Sequence, residues 1–214
     1  MNPRTCHSAQ YTVISCFSFD RPSQLQNRSV LAWVTVTGVS YFGLTILLLS
    51  LLDADYSPIS QAASDYGVGR FAIEMNLGFL LGGVGLVAFA LVIGGRGAAA
   101  QRSRAGSALF FVAGLVLVMD SYFTTNMEGS PATLHGTIHG FGGFIFFITA
   151  PIGVLVVSRK FGRARVMAAA VGLVVGFAML AVNAGLSGLA ERVILLVIFS
   201  SVIVAAEGLA RPQG

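Results

Sequence analysis

The chain has 214 residues, of which 55% are hydrophobic and only 10% charged, with a mean hydropathy of +0.81. A soluble domain is usually about 25% charged, so this composition excludes a water-facing surface of ordinary make-up. The formal charge of +4 comes from Lys and Arg confined to connecting segments, which describes topology and anionic-lipid contact and gives no nucleic-acid signature.

In chain order, residues 1–29 are mixed and polar, with a short apolar stretch from Tyr11 to Phe19. A signal peptide needs a longer apolar region and a small-residue cleavage site, so this segment is expected to be a poorly ordered cytoplasmic tail. Cys6 and Cys16 then lie on the reducing side, where no structural disulfide is expected. His7 beside Cys6 reads as tail more readily than as a metal ligand.

Six apolar runs follow. They are Val30 to Leu52, Met75 to Ile93, Ala105 to Asp120 or Phe123, Leu134 to Val157, Val166 to Val182, and Val193 to Ala206 or Leu209. A helix of roughly 20 apolar residues spans a hydrocarbon core of about 30 Å with every backbone hydrogen bond closed internally. The predicted fold is therefore all-α, a six-helix transmembrane bundle over residues 30–210, with the fifth and sixth runs near the short limit. Gly94-Gly95-Arg96-Gly97, Ser130-Pro131, Phe161-Gly162 and Asn183-Ala184-Gly185 supply the breaks between runs. Ser130 and Pro131 read as the N-cap and first residue of the fourth helix.

Charge sets the orientation. Arg4, Arg21, Arg28, Arg96, Arg102, Arg104, Arg159, Lys160, Arg163, Arg165 and Arg211 all fall on one side if the chain crosses six times. The other side holds only Arg70 and Arg192, with Asp53, Asp55, Asp65, Glu74, Asp120, Glu128 and Glu191. By the positive-inside rule the basic face and both termini are cytoplasmic, in a multi-pass plasma-membrane protein.

Three pairs of glycines four residues apart, Gly78 and Gly82, Gly136 and Gly140, Gly172 and Gly176, predict close helix contacts within the bundle. Pro151 should kink the fourth helix. Phe141, Phe144, Phe146 and Phe147 read as core or lipid face.

Chemistry-bearing residues gather at the acidic mouth. His135 and His139 share one face of the fourth helix, and Asp120 ends the third on the same side. These three are the candidate metal ligands, with Zn²⁺ as the expected ion. Asp65 or Glu74 would act as base or further ligand, and Ser64 would contact substrate. A metal-bound water there suits hydrolysis of a lipid amide or ester. The bland alternative is that both histidines cap a polar layer by hydrogen bonding. Haem fits less well, because histidines one turn apart on one helix cannot ligate opposite faces of one iron and no second helix offers a partner histidine. Ser57-Pro58 could likewise cap a short interfacial helix through Ala63, leaving its acids merely solvated, and Arg70 could simply pair with Glu74.

The run Tyr56-Ser57-Pro58-Ile59-Ser60 to Ser64-Asp65-Tyr66-Gly67, with Asp120-Ser121 and the Leu134-His135-Gly136-x-x-His139 start of the fourth helix, resembles the domain-of-unknown-function family 998. Those are small, mostly six-helix prokaryotic membrane proteins, and the resemblance implies a topology without an activity. A looser similarity is to transmembrane hydrolases of the alkaline ceramidase and adiponectin-receptor type, which set a serine, an aspartate and a His-x-x-x-His pair around zinc. This chain has six runs where those have seven, and carries the pair on the fourth run where those carry it on the last. Three function classes stay open: a metal-dependent hydrolase of a lipid-like substrate, a non-enzymatic sensor or scaffold, and a transporter. The last is disfavoured because no ionisable residue sits mid-span.

Overall fold

Each apolar run closes its hydrogen bonds in one helix, as hydrocarbon surroundings require. The computed structural model describes residues 21–95, 103–126, 130–182 and 184–210. The helices are α1 (Arg21–Leu52), α2 (Ala72–Gly94), α3 (Arg104–Asp120), α4 (Leu134–Ser158), α5 (Arg163–Val182) and α6 (Ser187–Ala210). All but α3 are long and apolar enough to cross a membrane. α3 has 17 residues, about 25 Å of helix against a core of about 30 Å. The bundle is apolar outside as well as in. Leu44, Leu91, Leu115, Phe141, Val174 and Leu196, one from each helix in turn, are exposed. With this outer face the chain is an integral membrane protein.

The glycine contacts make α1 and α2, α2 and α3, α3 and α4, and α5 and α6 antiparallel, and α1 packs on α6 to close the ring. Glycine contacts fix the pairings. A Cβ on Gly82 of α2 would come within 2.6 Å of the Phe42 ring of α1. Gly83 and Gly114 let α2 and α3 cross at the backbone, where a Cβ on either would lie 2.7 Å from the other's carbonyl oxygen. On α5, Gly172 and Gly176 face Val197 and Ile194 of α6. The third glycine pair behaves differently: a Cβ on Gly136 would meet Asn126, but one on Gly140 would have nothing within 4 Å. The buried core runs through Phe42, Phe89, Phe110, Phe146, Ile194 and Ile198. α5 is the most loosely held helix: it packs along α6 and meets α4 only briefly.

Several boundaries differ from expectation. α1 already begins at Arg21, within the segment assigned to the tail, while residues 1–20 lie outside the described chain. Arg4, Arg96, Arg102, Arg211, Glu128, Cys6, His7 and Cys16 lie outside it too. Ser130 and Pro131 do not start α4. Thr133 is the N-cap, its hydroxyl accepting from the Gly136 amide at 3.0 Å. Asn126 Oδ1 in turn accepts from the Thr133 amide and hydroxyl, at 3.0 and 2.7 Å. α5 and α6 are not short, at 20 and 24 residues. α6 starts six residues before its apolar run, so Glu191 and Arg192 belong to the helix. No helix runs from Ser57 to Ala63; a 3₁₀ turn forms instead over Ala63–Gly67. Arg70 does not pair with Glu74, its guanidinium lying 5.0 Å from the centroid of the Phe71 ring.

Candidate functional site

The end of the bundle that carries the α1–α2, α3–α4 and α5–α6 connections holds a polar cluster in two parts. The first joins α3 to α4. Asp120, the last residue of α3, is 2% exposed. Its Oδ1 has no hydrogen-bond donor and lies 3.7 Å from His139 Nδ1. Gly142 makes room for it, since a Cβ there would come within 2.5 Å of that oxygen. His139 Nδ1 is 2.9 Å from the Phe123 carbonyl oxygen. A carbonyl can only accept, so Nδ1 carries the proton and donates, and in the neutral ring Nε2 is the atom left with a lone pair. Phe79 meets the imidazole edge-on, with ring centroids 5.6 Å apart.

The second part is the long α1–α2 connection, fastened across the mouth by α6. Arg192 Nη1 donates to the Gln61 and Gly188 carbonyls at 2.9 and 3.0 Å, and Nε to Ser50 Oγ at 3.3 Å. Glu191 Oε2 accepts the Ala63 amide at 2.8 Å. The Ser187 hydroxyl donates to the Ser60 carbonyl at 2.7 Å, and the Leu189 amide to that of Ile59 at 2.9 Å. Gly188 lets the loop backbone lie directly on α6, against Gln61. Within the loop, the Tyr56 hydroxyl reaches the Ala62 carbonyl and Asp65 Oδ2. Burial, followed by the neighbouring Asp65 charge, pushes that phenol well above its ordinary value, so it remains a neutral donor.

Between these parts lies a cavity of about 660 Å³. Its wall is mostly apolar, built from residues such as Phe79, Phe144, Phe147, Phe177, Leu180 and Ile194. Its polar groups are Ser64, Asp65, Asp120, Thr125, His139, Ser187 and Glu191, with no Lys or Arg among the described lining residues. Gly140 and Gly143 also line it, with nothing within 4 Å of where their Cβ atoms would be. Ligand-binding sites have this character, a concave apolar volume with few convergent polar groups.

The expected residues are thus partly brought together. Ser64, Asp65, Asp120 and His139 share the cavity. His135 and Glu74 do not: both are exposed, and His135 stacks near Phe123 and Tyr122, centroids 5.1 and 5.9 Å away. Among the described residues no three His, Cys, Asp or Glu side chains are grouped closely enough to hold a metal ion. His139 and Asp120 could supply two ligands of such a site. Sequence reading missed Glu191, Arg192 and Tyr56. The adjacent acid and base just before the last apolar run were the available signal for the first two.

No curated protein and no solved structure matches this chain. Residues 31–207 match the family described as "Protein of unknown function (DUF998)", a stretch that runs from within α1 to within α6 and includes both parts of the polar cluster. The chain belongs to that family.

Proposed function

We propose that this membrane protein binds an amphiphile in the cavity at its acidic end, the tail against the α4–α5 aromatic wall and the head group among Asp65, Asp120, His139 and Glu191. The observation that carries this reading is the sign of the lining: three carboxylates and a histidine, with no Lys or Arg among the described lining residues, around an apolar volume. Such a wall favours a head group that is positively charged or rich in hydrogen-bond donors, because an anionic head would add like charge in a poorly hydrated space. The sparse α4–α5 contact offers lateral access from lipid. Following the positive-inside rule, the acidic end is extracytoplasmic and both termini are cytoplasmic.

Chain-matched dodecylamine, dodecanol and dodecyl phosphate, added to the protein in mild detergent, test the head-group preference by thermal shift. The amine should stabilise most and the phosphate least, and Asp120→Asn should narrow the difference. Equal shifts for all three, or a preference for phosphate, would sink the reading. The zinc-dependent hydrolase is a second reading, supported by the lone pair left on Nε2 of His139 and by the Asp120 oxygen that has no donor, both residues lining the cavity. Elemental analysis of untagged protein prepared without chelators decides it: near-stoichiometric zinc, lost in His139→Ala, would make the head-group site a metal centre.

A further inference from the structure

A second cavity lies at the opposite end of the bundle and has the opposite electrostatic character. It encloses about 220 Å³ between α3, α4, α5 and α6, with Phe89 of α2 beneath. Its floor is buried and apolar, with Phe89, Phe110, Val154 and Ala205. Its rim is exposed and includes Arg165, Ala168 and Ser200, so it opens on the outer surface of the bundle, where lipid would lie. Ser158 and Ser201 add hydroxyls to the lining. Among the described residues Arg165 is its one charged group, and Glu207, nearby on α6, is not part of the lining.

We propose that this cavity is a binding site for an anionic phospholipid of the leaflet at the basic end, with part of an acyl chain in the apolar floor and the phosphate on Arg165. Three observations converge. The guanidinium lies 5.3 Å from the centroid of the Phe161 ring, which holds its plane while leaving its N–H edges available to a phosphate. Charge is complementary beyond the cavity: the α4–α5 turn and the first turn of α5 carry Arg159, Lys160, Arg163 and Arg165 with no acid among them. Basic pockets between helices at the leaflet surface are suited to anionic head groups, each cation adding its own attraction. The volume, finally, is apolar and open sideways, which a soluble anion does not need and an acyl chain does. The site is independent of the acidic cavity and of what that cavity binds.

The test is native mass spectrometry of the detergent-purified protein titrated with phosphatidylglycerol or with phosphatidylcholine of the same acyl chains. Phosphatidylglycerol should be retained in preference, and Arg165→Ala should lower its retention about fivefold. Ala168→Leu and, independently, Ser200→Leu narrow the exposed rim without changing charge, so both should reduce retention in protein that still folds. Arg163→Ala, on the same turn but outside the lining, should change it little. Equal losses in Arg163→Ala and Arg165→Ala would mean a diffuse basic halo and overturn the proposal. So would full retention in both leucine variants, or displacement of the lipid by millimolar inorganic phosphate, which would mark a free-anion site.

Discussion

At the scale of single residues, the position of Asp120 depends on one missing methyl group. Gly142→Ala would put a Cβ within 2.5 Å of the buried Asp120 oxygen, whereas Gly143, the next residue, has nothing within 4 Å of its own. The first substitution should destabilise the protein by about 1–3 kcal/mol, the usual effect of overpacking a closed site. The second should be neutral or slightly stabilising, since Ala is the better helix former. Thermal unfolding in detergent compares them directly, and equal behaviour would show that α4 does not hold the carboxylate as described. Tyr56 supplies a pH-dependent counterpart. Its pKa in the fold lies above the ordinary 10.0. The stability contributed by its neutral hydroxyl is therefore intact below about pH 10 and is lost as the pH climbs beyond it. The unfolding temperature of the native protein should fall more steeply above pH 10 than that of Tyr56→Phe. The same variant should cost about 1 kcal/mol at neutral pH through its lost hydrogen bonds.

At the scale of elements, the α1–α2 connection is ordered by α6 more than by itself. Arg192 bonds two carbonyls and a hydroxyl through a planar fork. A lysine cannot reproduce that geometry from one nitrogen. Arg192→Ala should therefore cost about 1.5–3 kcal/mol, and Arg192→Lys should recover only part of it. Hydrogen exchange should rise across residues 59–67 in both variants while the core of α2 stays protected. Exchange unchanged over that segment would mean the loop is held by other contacts. This fastening explains what could and could not be read in advance. The apolar runs of α1, α2 and α4 were plain, because a membrane span declares itself by composition alone. The start of α6 was not, because Ser187 to Arg192 is too polar to extend an apolar run and is held by bonds to the loop that composition does not reveal. Once α6 was begun too late, Glu191 fell outside the bundle and dropped out of the candidate site. His135 failed for a related reason. Spacing puts it on the same face as His139, but the Phe123 carbonyl takes the deeper imidazole while the outer one rests among aromatic rings. Helical periodicity gives the shared face and is silent on depth.

At the scale of the whole molecule, the bundle carries two cavities of opposite character at its two ends, and the orientation decides which leaflet each one serves. The eleven cations assigned to one side include Arg159, Lys160, Arg163 and Arg165, clustered where α4 turns into α5. Moving that turn across the bilayer would place four positive charges on the face where the positive-inside rule disfavours them. The α1–α2 connection has no such obstacle, since Asp53, Asp55 and Asp65 count little toward orientation. Cysteine labelling can read the outcome. With Cys6 and Cys16 replaced by Ser, Ala54→Cys and Ala164→Cys each add one thiol at an exposed position, at opposite ends of the bundle. A membrane-impermeant maleimide applied to intact cells should label position 54 at once and position 164 only after permeabilisation. The reverse pattern would turn the acidic cavity toward the cytoplasm, and its ligand would then be sought among cytoplasmic-leaflet amphiphiles. Labelling of both positions in intact cells would mean that the chain does not cross six times. The short α3, with its 17 residues, is the helix whose span such a result would remove. Without that span α2 and α4 could not run in the same direction, and the approach of Asp120 to His139, which depends on α3 lying along α4, would be lost with it.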